Sequence, residues 1–309
     1  MNPSRGIALK VVSTLFFTLM LVCVKAVADR IPPGEIVFFR SFFALVPIVG
    51  MLAWQGEFAS ALRTKRPWIH VSRGTVGVLA MALNFAALAF LPLPEAMMIG
   101  YASPLMIVVL AALILHERVR LFRWTAVAVG FVGIVVILWP RFTLLSRGAL
   151  EDAALLGAVL ALVSAFCSAF AAVFVRSLAQ TESTGAIVFY FSLIASLMAV
   201  AVSLPFGWVA PNATDATLLV LMGLLGGVGQ ILIATAYRDA DAATLASFEY
   251  VSMLWGITFG FFLFGDVPTA SIILGGAIVI GAGIFIIFRE RRLGLERTRQ
   301  RKAMSPPPG

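Results

Sequence analysis

Charged residues are scarce in this sequence. Only 12% of its 309 residues are charged, whereas 61% are hydrophobic, and the mean hydropathy is +1.01. A soluble protein of this length needs a charged surface, so the composition excludes a soluble globular protein. Hydrophobic runs near twenty residues long, each able to cross about 30 Å of hydrocarbon, recur along the chain. They lack the short alternating pattern of a transmembrane β-barrel. The sequence therefore predicts an all-α integral membrane protein.

Cysteine and histidine are also rare, with two of each. Cys23 and Cys167 fall on different predicted helices and match no metal-ligand spacing, so we expect small core residues and no metal site. The chain has no G-x-x-x-x-G-K-[ST] loop, H-E-x-x-H motif, nucleophile elbow or pair of catalytic carboxylates. The sequence thus predicts no cofactor, no catalytic residues and no nucleotide-driven motor, and we expect the protein not to be an enzyme.

The hydrophobic runs predict ten membrane spans joined by short loops. If the amino terminus is cytoplasmic, fifteen basic residues lie in inside segments, and only Arg30, Arg141 and Arg147 lie in outside loops. This asymmetry predicts that both termini are cytoplasmic. It also accounts for much of the net charge of +8 without a nucleic-acid partner. The predicted spans are 7–27, 34–53, 69–90, 94–116, 122–139, 153–177, 183–203, 215–236, 242–264 and 268–288.

The sequence repeats itself at an offset close to 150 residues. Residues 34–41 are GEIVFFRS and residues 185–192 are GAIVFYFS, with five of eight letters identical. The match continues in the other spans, where Gly77 pairs with Gly226, Tyr101 with Tyr250, Ser103 with Ser252 and Glu117 with Asp266. The chain is therefore predicted to hold two copies of one five-helix unit, at 6–140 and 153–288. A basic cytoplasmic tail follows at 289–309, which could contact anionic lipid or remain solvated.

An odd number of helices in each copy has a topological consequence. The second copy must enter the membrane from the side opposite to the first, which produces an inverted repeat. Many secondary transporters have this arrangement, because rocking one half against the other opens a central site to either side. The alternative is that the repeat only builds a stable bundle.

Three segments resemble the EamA branch of the drug/metabolite transporter superfamily. They are GEIVFFRS in the second span, PEAMMIGYASPLMIVVLAALILHERV across the fourth, and the stretch from YVSMLWGITFGFFLFGDVP to GIFIIFRERR. The resemblance covers about residues 6–290. It implies a multi-pass carrier in the bacterial inner membrane that moves small organic metabolites through a central cavity. Members of the family carry amino acids, vitamins such as riboflavin, nucleotide-like compounds and metallophores.

Polar side chains within the spans are the candidates for a substrate site, because they are costly in hydrocarbon and commonly face a cavity. Gln230 falls at the repeat position of Met81, one helical turn from Asn84, so both amides lie on nearly the same face of the repeated helix. The alternative is that each amide bonds a neighbouring helix. The predicted cavity residues are Arg40, Asn84, Tyr101, Ser103, Gln230, Glu249, Tyr250, Ser252 and Trp255.

Pro104 predicts a break in the fourth span, because it cannot donate a hydrogen bond to the carbonyl of Gly100. A broken helix beside a cavity is a recurring way to build a transport site, although a proline kink without function is the alternative. Glu249 is the candidate for proton coupling. Ser252 and Trp255 follow it at roughly one-turn spacings, and Trp255 could stack on a flat substrate or pack in the bundle.

Arg40 stands in the first copy where Phe191 stands in the second. It lies roughly 9 Å below the predicted outer boundary, so it could snorkel to the surface. Our hypothesis is that it attracts an anionic group into one vestibule, and its depth makes a direct salt bridge to Glu249 unfavourable. Besides a transporter with a small-molecule substrate, two alternatives remain: a membrane component that binds a partner protein, and a lipid-modifying enzyme. Proton coupling and a homodimer also stay open.

Overall fold

A computed structural model gives the architecture of the protein and describes residues 3–56, 58–114, 121–145, 153–178, 181–239, 245 and 248–304. The described residues form helices and connecting turns without strands. In chain order these are α1 (Pro3–Val27), α2 (Pro33–Trp54), α3 (Phe58–Ala61), α4 (Pro67–Phe90), α5 (Leu93–Gly100), α6 (Ala102–Ile114), α7 (Leu121–Leu145), α8 (Ala153–Leu178), α9 (Thr184–Ser203), α10 (Ala213–Asp239), α11 (Val251–Phe264) and α12 (Ala270–Met304).

Seven helical stretches among the described residues are long and apolar enough to cross a bilayer, and three shorter apolar stretches of 10–17 residues accompany them. The shorter stretches are Trp124–Pro140, Val251–Phe264 and Ala270–Ile286. The protein is therefore a multi-pass helical membrane protein. The count of ten spans and the cytoplasmic placement of both termini stay predictions. Glu117, Arg147 and the first residues of the predicted span 242–264 lie outside the described residues.

Helices of the two halves interlock through contacts that recur in both copies. Helix α1 packs on α10, and their repeat counterparts α8 and α4 pack on each other in the same way. Likewise α2 packs on α10 while α9 packs on α4, and α1 contacts α11 while α8 contacts α6. Two further pairs, α2 with α9 and α7 with α12, each join a helix to its own counterpart, and α5 also packs on α11. The halves thus share one core, and any cavity near its middle is lined by both.

Proline and serine mark several helix starts. Prolines stand at the first or second position of α2, α4 and α5, where the missing N–H would have had no partner inside the helix. Ser183 caps α9, since its side chain accepts a hydrogen bond from Ala186 N at 3.1 Å. Between α7 and α12 the backbones come into close contact: a Cβ atom added to Gly133 would lie 2.7 Å from the carbonyl oxygen of Gly275. These features set where α2, α4, α5 and α9 begin and how closely α7 and α12 approach each other.

Candidate functional site: two adjoining cavities

The first cavity has a volume of about 550 Å³ and lies between the two halves. Helices α1, α4, α5 and α6 line it from the first half, and α12 with the turn before α11 line it from the second. Cavities of this size commonly enclose small organic ligands. The structure brings the following predicted residues together on its wall: Asn84, Gly100, Tyr101, Ser103, Pro104, Glu249, Tyr250 and Ser252.

Turns occur at equivalent tyrosines of the two copies. Tyr101 forms a turn between α5 and α6, three residues before Pro104. Its repeat counterpart Tyr250 ends the turn 248–250 that precedes α11. The sequence predicts a break only in the first copy, because only that copy has a proline there. The turn in the second copy is stabilised without proline by Ser252, which donates its hydroxyl to the carbonyl oxygen of Glu249 at 2.6 Å.

The two tyrosines meet across the cavity. Their rings lie 5.3 Å apart between centroids at an interplanar angle of 65°, an edge-to-face contact. The Tyr101 hydroxyl also lies 2.6 Å from Ser252 Oγ. Because the Ser252 proton is directed to the Glu249 carbonyl, Tyr101 is the donor in that second bond. The hydrogen bonds therefore join the broken fourth span of the first half to the start of α11 in the second half.

Glu249 forms an ion pair with Lys10 of α1, 239 positions away in the sequence. The Lys10 side chain is only 2% exposed, whereas that of Glu249 is 47% exposed and faces the first cavity. A buried ammonium requires a counter-charge, and Glu249 supplies it. No direct contact joins Glu249 to Arg40 among the described residues, in line with the depth argument from the sequence. The pair places one fixed acid–base couple at the cavity wall.

Lys10 is not among the candidates that the sequence indicated. A signal for it exists, since Lys10, Thr14 and Thr18 follow one another at four-residue spacing and so lie on one face of α1. Thr14 and Thr18 line the first cavity. Both hydroxyls bond carbonyls of their own helix, Thr14 to Val11 at 2.7 Å and Thr18 to Thr14 at 2.9 Å. The polar stripe marks the side of α1 that faces the site.

A second cavity of about 480 Å³ adjoins the first, and Leu21 and Asn84 line both. The predicted residues Arg40 and Gln230 line this second cavity. Asn84 and Gln230 therefore do share one cavity, although it is not the cavity that contains Glu249. Arg40 is buried, with its guanidinium beside Phe191, and so does not reach the surface by snorkelling. Trp255 lines neither cavity, and its buried indole Nε1 has no hydrogen-bond partner among the described residues.

Arg73 is a second cavity residue that the sequence candidates omit. It lies near the start of α4, and its guanidinium carbon lies 3.5 Å from the centroid of the Phe191 ring. Arg73, Gly77, Met81 and Asn84 recur at three- or four-residue spacing along α4, and all four line the cavity. The periodicity that predicted Asn84 as a cavity residue extends to Arg73 as well.

Polar contacts at the end of α1 link this helix to both halves. Lys25 at the end of α1 donates to the carbonyl oxygen of Leu91 at 2.7 Å and lies 3.7 Å from Asp266 Oδ2. The same Asp266 oxygen accepts a hydrogen bond from Leu93 N at 2.8 Å and so caps α5. These contacts tie α1, α5 and the end of α11 together. The repeat counterpart of Asp266, Glu117, lies outside the described residues.

Another tether joins the two halves outside the predicted spans. Glu182, in the connection before α9, accepts hydrogen bonds from Thr64 Oγ1 and Lys65 N, each at 2.9 Å. Partial burial acts to raise the pKa of this carboxyl, but the hydrogen bonds from Lys65 N and Thr64 outweigh it. The net pKa lies below its ordinary value. The carboxylate thus holds the segment before α4 against the second half.

Comparison with known proteins agrees with this architecture. The EamA-like transporter family matches residues 4–139 and 155–289. The S-adenosylmethionine uptake transporter of Rickettsia prowazekii (strain Madrid E) is 27% identical over 288 residues, 93% of this chain and 94% of its own. The riboflavin transporter of Rhizobium johnstonii is 28% identical over 296 residues, 94% of each chain.

A third relative is named for export. The pseudopaline exporter CntI of Pseudomonas aeruginosa (strain UCBPP-PA14) is 30% identical over 283 residues, covering 90% of this chain and 94% of the exporter. These relatives are transporters and not enzymes, and the family match spans both halves of the chain. Taken with the multi-pass helical fold and its interlocked repeats, the match shows that the chain belongs to the EamA-like transporter family.

Proposed function

We propose that this protein is a secondary transporter that moves a small organic metabolite across the bacterial inner membrane by alternating access. The observation that carries the proposal is the first cavity. It lies between the two repeats, and its wall includes the equivalent residues Tyr101 and Tyr250, each in a turn that precedes a helix. Discontinuous helices at a repeat interface are a recurring form of transport site. Rocking of the halves would expose such a site first to one side of the membrane and then to the other.

The lining of the first cavity suits a substrate with a flat or apolar part. Tyr101 and Tyr250 offer ring surfaces, and Met97, Leu88 and Ile107 add apolar contacts. Asn84, Ser103 and the Tyr101–Ser252 pair supply polar groups that can orient the ligand. The substrates named for the three relatives are S-adenosylmethionine, riboflavin and pseudopaline. All three names denote small organic metabolites, and we extend that class to this chain without choosing one of them.

Glu249 is the residue through which we propose that protons couple to transport. Its carboxylate faces the first cavity while it pairs with Lys10. Protonation of Glu249 removes the negative charge that holds Lys10, so a proton and the ion pair compete for the same oxygen atoms. Binding of a proton would thereby loosen the contact between α1 and the start of α11.

The ten spans, the two cytoplasmic termini, the contact of the tail with anionic lipid and a homodimer are further predictions.

Transport by the purified protein in sealed proteoliposomes tests this proposal. Vesicles with and without the protein would be given labelled S-adenosylmethionine, riboflavin or pseudopaline, each with and without an imposed pH gradient. We expect protein-dependent movement of at least one solute, with Glu249→Gln abolishing its dependence on the gradient. Movement that ignores the gradient in the unmodified protein would refute proton coupling. The absence of protein-dependent movement for every family-type solute would refute the choice of substrate class.

A further inference from the structure

The second cavity has more positive charge than its surroundings balance. Arg40 of α2 and Arg73 of α4 both line it, and no aspartate or glutamate is among the described residues of its wall. Arg40 is only 4% exposed. The Nε and Nη1 atoms of both arginines are buried and have no hydrogen-bond partner within the described part of the chain. Unpaired cations in a buried position are costly. The second cavity therefore has two guanidiniums whose Nε and Nη1 groups can still donate hydrogen bonds.

Phe191 holds the two cations without neutralising them. The guanidinium carbon of Arg73 lies 3.5 Å from the Phe191 ring centroid, and that of Arg40 lies 5.8 Å from the same centroid. An aromatic face attracts a cation, but it supplies no acceptor for the N–H groups. Phe191 is also the repeat counterpart of Arg40. The copies therefore differ at this position because one contributes a cation and the other contributes the ring against which that cation packs.

Two glycines leave room beside the guanidiniums. A Cβ atom on Gly77 would lie 2.8 Å from the Phe191 ring and 3.5 Å from Arg73 Nη1. A Cβ atom on Gly226 would lie 3.4 Å from Arg40 Nε and 2.9 Å from the sulfur of Met20. Gly77 and Gly226 are repeat counterparts, at an offset of 149 residues. Each copy thus has a glycine where a side chain of the other copy packs. The space left by the missing Cβ atom lets each arginine lie beside the cavity.

We infer that Arg40 and Arg73 bind the anionic group, a carboxylate or a phosphate, of the transported metabolite. Guanidinium groups bind both oxyanions through paired hydrogen bonds, and here the N–H donors are otherwise unused. Because Leu21 and Asn84 line both cavities, an anion held here leaves the rest of the molecule beside Tyr101 in the first cavity. The inference rests on the proposed transport function, and it specifies the class of substrate.

Ligand binding to the full, detergent-purified chain tests the inference without any transport step. The probes are succinate, inorganic phosphate and the uncharged analogue succinamide, at constant ionic strength, with the thermal unfolding midpoint as readout. We expect succinate or phosphate to raise the midpoint and succinamide not to. Arg40→Gln and Arg73→Gln should each weaken anion binding about tenfold or more, given the usual strength of charged hydrogen bonds. The matched control is Arg63→Gln, since Arg63 is exposed on the loop before α4.

A second pair of variants keeps the test valid if the arginine variants fail to fold. Phe191→Glu places a carboxylate beside both guanidiniums, and Phe191→Gln has the same size without the charge. If the arginines lack an anion, the Glu variant will be the more stable of the two and will no longer respond to succinate or phosphate. A Glu variant no more stable than the Gln variant would show that the cations are already compensated, and the inference would be wrong.

A lipid headgroup could supply the same phosphate chemistry. The binding experiment is therefore repeated in nanodiscs of phosphatidylcholine alone and of phosphatidylcholine with phosphatidylglycerol. Stabilisation by succinate or phosphate in both supports a solute site. Stabilisation by phosphatidylglycerol alone, with no added effect of either anion, overturns it in favour of a lipid. The readout is binding to purified protein, so failure of transport in vesicles would not by itself count against the site. Transport of neutral solutes with no anion binding would refute the site and leave the transporter.

Discussion

Removing either charge of the Lys10–Glu249 pair should have unequal effects on stability. The Lys10 side chain is 2% exposed and the Glu249 side chain 47% exposed. Glu249→Gln therefore leaves a cation buried without a partner, which typically costs about 3–5 kcal/mol. Lys10→Met keeps the apolar stem of the lysine and leaves Glu249 with a side chain that is about half exposed. That change resembles the loss of a surface pair, worth about 1 kcal/mol or less.

The double variant Lys10→Met/Glu249→Gln separates pairing from other effects. It removes both charges, so no buried cation remains, and we expect its cost to stay within about 2 kcal/mol of the unmodified protein. Simple addition of the two single changes would instead give about 3–6 kcal/mol. The assay is thermal unfolding of the detergent-purified chain. At about 2 °C of midpoint per kcal/mol, the Glu249→Gln variant should melt at least about 6 °C lower.

Equal costs for the two single variants, together with a double variant equal to their sum, would refute this reasoning. Such a result would mean that each residue acts alone and that burial of Lys10 needs no counter-charge from Glu249. Asp29→Asn is a suitable control, because Asp29 pairs with Arg30 at 3.1 Å but has a side chain that is 65% exposed. That change should alter the free energy of unfolding by less than about 1 kcal/mol.

Three further predictions test other parts of the fold. Gly133→Ala should destabilise the α7–α12 contact and lower the midpoint of thermal unfolding. Gly281→Ala on α12 should leave the midpoint unchanged, because a Cβ atom added there meets nothing within 4 Å. Similar midpoints for the two variants would contradict the packing argument. Tyr101→Phe removes the hydroxyl that donates to Ser252, and we expect a loss of about 1 kcal/mol in the free energy of unfolding. We also expect slower solute movement in vesicles. Unchanged transport rates would show that transport does not depend on this hydrogen bond. Glu182→Gln should lower the midpoint at pH 7. Because the folded pKa of Glu182 is depressed, the stability that this carboxylate contributes is present above the unfolded pKa of about 4.3 and is lost as pH falls through the folded pKa. The midpoints of the Glu182→Gln variant and the unmodified protein should therefore converge in acid. A difference that does not depend on pH would contradict the tether.

The sequence alone determined the class of the protein and most of the polar residues that line the first cavity. Long hydrophobic runs can be satisfied only by membrane helices. A repeat of five helices predicts an inverted topology. Neither inference needs tertiary information. The rarity of polar residues within the spans likewise singled out Asn84, Tyr101, Glu249 and Ser252, all of which line that cavity. Repeat pairing also identified Tyr250 as the counterpart of Tyr101.

Only the tertiary structure decided which polar groups meet. Lys10 pairs with Glu249 across 239 positions, and Arg73 joins Arg40 at Phe191, because packing between the interlocked halves sets how helices α1, α2, α4 and α9 are rotated and translated against one another. Helical periodicity fixes which residues share a face but not which neighbouring helix that face contacts. The turn before α11 was likewise not predicted, since it is stabilised by a serine–carbonyl hydrogen bond and contains no proline. The sequence pattern thus predicts the helices and candidate polar residues of this transporter. Contacts between its two repeats decide which of those residues meet in its cavities.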